Sequence, residues 1–135
     1  MPDLIVLDSS ILIDNLRTGC HASRIIAVDG VLRNSSVVLA ELWRGVLNPA
    51  DRKLLLELER EHPILTPTQN NWLESGQILA KVRDDLGFGA EKMRDMHFDV
   101  LIALTVRSHG ARVITSNRAD FELIRKYRDF RLEAW

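Results

Sequence analysis

The chain has 135 residues, 46% of them hydrophobic, with a formal net charge of -1. That is enough apolar material for one buried core, and no Pro-, Gly- or Ser-rich tract or solenoid-length repeat interrupts it, so residues 1–135 are expected to form one domain. Near-neutral charge excludes coating of nucleic acid by bulk electrostatics, and the lone Cys20, expected to be a buried small hydrophobe, excludes an internal disulfide.

Met1-Pro2-Asp3 passes directly into Leu4-Ile5-Val6-Leu7 without the basic opening and apolar length of a signal peptide. No segment approaches the roughly 20 apolar residues of a membrane span. A soluble, cytoplasmic protein is expected.

The run Leu4 to Leu7 reads as a strand buried on both faces and ends at Asp8. Ser9 or Ser10 then caps a helix through Ile11, Leu12, Ile13 and Leu16 to Gly19. A second helix is expected over Ala22 to Val28, a turn at Asp29-Gly30 and a strand over Val31 to Asn34. Ser35 or Ser36 starts a helix that carries Glu41, and Asn48-Pro49 starts a charged surface helix over Asp51 to Glu61. Ile64-Leu65 is extended. Thr68 caps a long helix whose apolar positions are Trp72, Ile78, Leu79, Val82 and Leu86, closed by Gly87. Phe98 to His109 is expected to be helical, Ala111 to Thr115 a strand, Asp120 to Lys126 a short helix and Phe130 to Leu132 a final strand.

Short apolar strands alternating with longer helices predict an α/β fold, a central, mainly parallel sheet with helices on both faces. In such sheets function collects at the carboxyl ends of the strands. Four acids, Asp8, Glu41, Asp99 and Asp120, stand where apolar runs meet polar breaks. Charge at the margin of a core is costly unless neutralised.

Asp99 falls on a core-facing stripe beside Ile102, in what reads as the first turn of its helix, where the helix dipole favours its charge. Glu41 lies among Val37, Val38 and Gly45 with only Arg44 as polar company. Glu57, Glu59, Glu61, Asp84 and Asp85 lie on polar faces and read as solvated. Taken singly, Asp8 and Asp120 read as helix caps and Asp99 as a helix-start residue. Together the four suggest an oxygen-only site suited to Mg²⁺ or Mn²⁺.

Zinc fits poorly: one cysteine and four scattered histidines offer no ligand spacing, and His97 reads as a surface-loop residue. No P-loop, glycine-rich nucleotide turn or Gly-x-Ser-x-Gly elbow occurs. Residues 107–131 hold 7 basic and 3 acidic side chains, against 11 basic and 15 acidic in residues 1–106, which makes Arg107, Arg112, Arg118, Arg125, Lys126, Arg128 and Arg131 candidates for phosphate contacts or a solvated face.

Asp8-Ser9-Ser10-Ile11-Leu12-Ile13, Ala40-Glu41-Leu42-Trp43-Arg44-Gly45, Asp99-Val100-Leu101-Ile102-Ala103 and Thr115-Ser116-Asn117-Arg118-Ala119-Asp120-Phe121 resemble, in order and spacing, the four motifs of PIN-domain nucleases, and among these the VapC-type ribonuclease toxins. Ser10 stands where many relatives have Asn, and Trp43 is bulkier than the usual aliphatic. The resemblance implies an endoribonuclease in which Asp8, Glu41, Asp99 and Asp120 bind one or two Mg²⁺ or Mn²⁺ ions, Asp8 and Asp99 foremost. It implies water-dependent phosphodiester cleavage leaving 5′-phosphate and 3′-hydroxyl ends. Ser10, Ser116 and Asn117 would orient carboxylates or water, and Asp14 and Asp95 would be supporting or surface acids. It further implies a homodimer and a small antitoxin partner that places a basic side chain in the acidic pocket.

Competing readings are a PIN-type nuclease of RNA maturation and a non-catalytic Mg²⁺-binding receiver-like or scaffold domain. A haloacid-dehalogenase-like phosphatase needs a second Asp two residues after the first, where this chain has Ser10.

Overall fold

The strand order of the sheet places its topological switch point beside Asp8. A computed structural model describes residues 2–135, which form, in chain order, β1 (Leu4–Leu7), α1 (Ser9–Thr18), α2 (Ala22–Ile26), β2 (Val31–Ser35), α3 (Ser36–Arg44), α4 (Pro49–Glu61), β3 (Ile64–Leu65), α5 (Gln69–Leu86), α6 (Ala90–Ser108), β4 (Arg112–Thr115), α7 (Arg118–Arg125) and β5 (Arg131–Ala134). The strands run in the order β3-β2-β1-β4-β5, and every pairing is parallel. The chain leaves β1 toward β2 on one side and reaches β4 on the other. Between β1 and β4 the connections diverge, and it is at the carboxyl ends of such a strand pair that open α/β sheets hold their ligands.

Side chains of successive strand residues face opposite ways, and the two faces are covered differently. Val6 and Val113 pair in register and face the larger core, built on buried residues of α3, α5, α6 and α7 such as Val38, Val82, Leu101, Phe121 and Ile124. Ile5, Leu7 and Ile114 face the smaller core with Ile11 of α1, and Ile25, Val28 and Trp135 pack at its edge. The turn into β2 needs Gly30, because a Cβ there would stand 2.6 Å from the Asp3 carbonyl oxygen and 2.5 Å from Ile5 Cδ1.

Several elements follow the predicted caps. Ser35 Oγ accepts from the amides of Val37 and Val38, Asn48 Oδ1 accepts from Asp51 with Pro49 opening the helix, and Thr68 forms a reciprocal capping box with Asn71. Gly19 and Gly87 close α1 and α5 in the left-handed conformation, at φ 69° each.

Other expectations are corrected. α6 begins at Ala90 rather than Phe98, since Ala90 to His97 contains good helix formers and no breaker after Gly89. Asp99 is therefore in the middle of α6, where the dipole argument does not apply, and His97 is helical, contacting the buried Ser75 Oγ at 3.1 Å. α7 starts at Arg118, which puts Asp120 inside its first turn rather than at the cap. α2 stops at Ile26, β2 runs on to Ser35 and β5 covers Arg131–Ala134. Cys20 is exposed, in the short loop after Gly19. Trp72 and Leu86 are about half exposed, because the buried stripe of α5 is Asn71, Ser75, Ile78 and Val82.

Candidate metal centre

Asp8 follows β1 directly and extends its ladder, its amide donating to the Ile114 carbonyl at 2.9 Å. Its side chain is only 3% exposed. It does not cap α1; Oδ2 instead accepts from Ser10 Oγ at 2.9 Å and from Thr115 Oγ1 at 2.8 Å. Each hydroxyl has a single hydrogen, and with both spent on Asp8 the 3.2 Å contact between Ser10 Oγ and Thr115 Oγ1 is a contact of two oxygens. Asp8 Oδ1 is buried and has no hydrogen-bond partner. A buried carboxylate oxygen in that state is costly until a cation or donor meets it.

Glu41 lies on α3, positioned by the Ser35 cap, and its Oε1 accepts a 3.4 Å bond from Ser9. Trp43 ties α3 to α4 through a 2.6 Å bond from Nε1 to Glu59, which gives the bulky side chain a structural place. Asp99 comes from the middle of α6 and Asp120 from the first turn of α7. Asn117 bridges these last two, Nδ2 donating to Asp99 Oδ2 at 3.4 Å and Asp120 Oδ2 at 3.1 Å, while its amide donates to Thr115 Oγ1 at 2.9 Å.

The four acids lie near enough for their charges to raise the pKa values of Glu41 and Asp99. Burial and the charge of Asp8 push the Glu41 carboxyl up to about 7, against which Ser9 and Arg44 act only partly. Burial pushes Asp99 up to about 8, followed by repulsion from Asp8, Glu41 and Asp120 and weak relief from Lys92. Asp99 is thus the residue on which the other three charges converge.

Ser10 and Asn117 orient acids directly. Ser116 does so only at one remove, its amide donating to Ser10 Oγ at 3.2 Å and its hydroxyl reaching Asp14 at 3.5 Å. Asp14 also faces His21 at 3.8 Å, and Asp95 is exposed. Two further residues act on the acids: Thr115, present in the fourth motif but with no role expected of it, and Lys92, which no motif contains. Thr115 is fully buried at the end of β4, and a hydroxyl directly after the apolar pair Val113-Ile114 was the signal for it. Lys92 donates to Asp120 Oδ1 at 3.2 Å, and its position seven residues before Asp99, two turns along α6, was the corresponding signal.

Among the described residues, no three His, Cys, Asp or Glu side chains close on one point tightly enough to hold an ion by themselves. The donor set is nevertheless all oxygen, mutually repelling, and includes the unpartnered Asp8 Oδ1. Such a set fits a small hard cation that retains several waters, as Mg²⁺ does, better than one caged by protein ligands alone. A separate groove of about 800 Å³ lies between the start of α5 and the end of α6, lined by Asn71, Glu74, Arg107 and Arg128 among others, and contains none of the four acids. No helix is long and apolar enough to cross a membrane among the described residues.

Comparison with solved structures finds the same architecture. The chain is 24% identical, at a TM-score of 0.74, to a chain in the DNA-bound VapBC crystal structure from Salmonella typhimurium, covering 100% of this chain and 99% of that one. It is 22% identical, at a TM-score of 0.71, to a chain of VapBC-1 from nontypeable Haemophilus influenzae, covering 98% of each. A chain of VapBC-5 from Mycobacterium tuberculosis aligns at 22% identity and a TM-score of 0.59, again over 98% of each. No curated protein sequence matches the chain. The PIN domain model matches residues 5–127, which spans all four acidic motifs, and the chain therefore belongs to the PIN domain family.

Proposed function

We propose that this PIN domain is a divalent-metal-dependent endoribonuclease acting as the toxin of a VapBC-type toxin–antitoxin pair. The observation that supports the catalytic part is the buried, unpartnered Asp8 Oδ1, with Asp99 and Asp120 bridged by Asn117 and the charges of Asp8, Glu41 and Asp120 together raising the Asp99 pKa. A site that drives two carboxyls toward neutrality near pH 7 to 8 has an evident use for a divalent counter-charge. Asp8 and Asp99, with Glu41 and Asp120, would hold Mg²⁺ or Mn²⁺ directly or through water. When bound, the ion supplies activation of water and neutralisation of charge on the scissile phosphate.

This chain's own residues prepare that chemistry. Ser10 and Thr115 pin Asp8 through Oδ2 and leave Oδ1 available, while Asn117 keeps Asp99 and Asp120 at a shared separation. Asp8 follows β1 and Thr115 ends β4, the end of the sheet at which ligands of open α/β folds bind, which supports this location for the centre. RNA cleavage is expected to leave 5′-phosphate and 3′-hydroxyl ends, the 2′-hydroxyl taking no part as nucleophile.

Full-length similarity to chains of VapBC complexes supports the toxin reading. On this reading the protein forms a homodimer in the cytoplasm, and a cognate antitoxin blocks the acidic centre with a basic side chain, whose guanidinium or ammonium satisfies the same carboxylates. Two experiments test the proposal. Incubation with structured RNA should give cleavage with Mg²⁺ or Mn²⁺ and none with EDTA; intact RNA under every metal condition overturns the nuclease reading. Induction of the protein alone should arrest growth, with relief by the small protein encoded beside it. Normal growth with soluble, RNA-cleaving protein would assign it to RNA maturation.

A further inference from the structure

A polyanion must approach a centre of four carboxylates, so cations beside those acids are needed to bring it in. The six arginines of the basic C-terminal segment are engaged elsewhere. Arg112 and Arg131 are paired with Asp3 at the amino ends of the strands, away from Asp8. Arg118 and Arg125 pair with Glu122, Arg128 with Glu74, and Arg107 donates to the Asp129 carbonyl.

Two other cations act on the acids. Arg44 lies one turn beyond Glu41 on α3 and favours its charged form; Lys92 does the same for Asp99 and bonds Asp120. Arg44 is exposed and, among the described residues, has no acidic partner within ion-pair distance. Its guanidinium is held 4.8 Å from the ring centroid of Phe98, the residue before Asp99. A cation–π contact of this kind restrains the guanidinium beside the ring and leaves its N–H groups free for a phosphate. The Lys92 side chain is 42% exposed, and its ammonium rests 3.2 Å from Asp120 Oδ1 and 5.9 Å from the Phe88 ring centroid. A half-exposed pair of that kind is weak enough to exchange for a phosphate oxygen.

We propose that Arg44 and Lys92 are the phosphate-binding residues of this centre, holding the RNA backbone on its Glu41 side and on its Asp120 side respectively. The inference rests on the nuclease reading and names the residues that deliver its substrate. Lys92 is held in waiting by Asp120 and passes to the backbone when RNA arrives, which releases that carboxylate for its own role. Arg44 is already oriented.

Salt dependence separates phosphate contacts from structural roles. Binding of a fluorescent single-stranded RNA is measured by anisotropy against salt concentration in the presence of Mg²⁺, with Asp99→Asn in every protein to prevent turnover. Arg44→Ala and Lys92→Ala should each reduce the slope of log affinity against log salt by about 0.7, and the double variant by about twice that. Arg44→Lys and Lys92→Arg should restore most of the slope. With Asp99 intact, each alanine variant should raise KM about threefold or more at low salt, with a smaller change in kcat. Slopes equal to the parent's in folded alanine variants, checked by thermal melting, overturn the inference. If the parent cuts RNA while those slopes are unchanged, only this inference falls. A wild-type protein that leaves RNA intact in Mg²⁺ and Mn²⁺ removes the nuclease reading and this inference together.

Discussion

Thr115 and Asp8, 107 positions apart, are joined by a 2.8 Å hydrogen bond from the threonine hydroxyl to Asp8 Oδ2. The bond links the carboxyl ends of β1 and β4 and settles which Asp8 oxygen remains free. Thr115→Val keeps the shape and removes the donor. Stability should fall by about 1 kcal/mol, since Ser10 still serves Oδ2. RNA cleavage should drop about tenfold, with more Mg²⁺ needed for half-maximal rate. An unchanged metal requirement would show that Thr115 has no part in orienting Asp8.

Folding of the metal-free protein should depend on pH in the direction unusual for acids. Glu41 at about 7 and Asp99 at about 8 lie above their ordinary values of 4.5 and 3.8. Between about pH 4 and pH 8 the folded state therefore holds protons that the unfolded chain has released, so stability is greatest on the acid side and declines as pH rises through this window. Asp3, held low chiefly by its hydrogen bond from Arg131, is charged throughout that range above pH 5 and adds no slope there. Urea unfolding in EDTA should show a loss on the order of 3 kcal/mol from pH 5.5 to pH 8.5, most of it from Asp99 once Glu41 is discounted for solvent screening. Asp99→Asn should remove most of it; a wild-type profile that is flat or rising would contradict the assignment.

Metal binding should carry the opposite dependence, because a divalent ion competes with those protons. Mg²⁺ is expected to raise the melting temperature more at pH 8.5 than at pH 6, and the cleavage rate should climb over the same interval. Calorimetry in two buffers of different ionisation enthalpy should detect proton release on binding near pH 7. Equal thermal shifts at both pH values would argue that the ion does not meet Glu41 or Asp99.

Asn117 offers a test by charge. Asn117→Asp preserves size but replaces the donor shared by Asp99 and Asp120 with a fifth carboxylate. Activity should fall about tenfold or more, and the metal-free variant should be less stable than wild type above pH 7, whereas Asn117→Ala should show the smaller stability change. A variant as stable as wild type at pH 8.5 in EDTA would place Asn117 outside the charge cluster.

Where local chemistry decided the outcome, the sequence was readable. Ser35, Asn48 and Thr68 cap as their types suggest, β1 is the short apolar run of a parallel sheet, and β4 is built on Val113 and Ile114. Long-range geometry decided the rest. Asp99 looked like a helix-start residue because the polar stretch from Ala90 to His97 hides the true beginning of α6. Thr115 and Lys92 act on acids brought to them by the fold, and no spacing in the chain announces a bond from the end of β4 back to the end of β1. The arginines of residues 107–131 looked like a phosphate surface, yet most are engaged by acids or carbonyls that only the tertiary structure supplies.

On the proposed function, Asp8 and Asp99 belong to one metal-dependent phosphodiesterase centre. Its most direct test is the rate of RNA cleavage in Mg²⁺ or Mn²⁺ by the wild type, Asp8→Asn and Asp99→Asn, each shown folded by circular dichroism. Wild type should cut RNA in an EDTA-sensitive reaction, and each variant should be slower by about a thousandfold, the scale expected on losing a group that acts on the reacting centre. Cleavage by both variants at the wild-type rate would contradict the account.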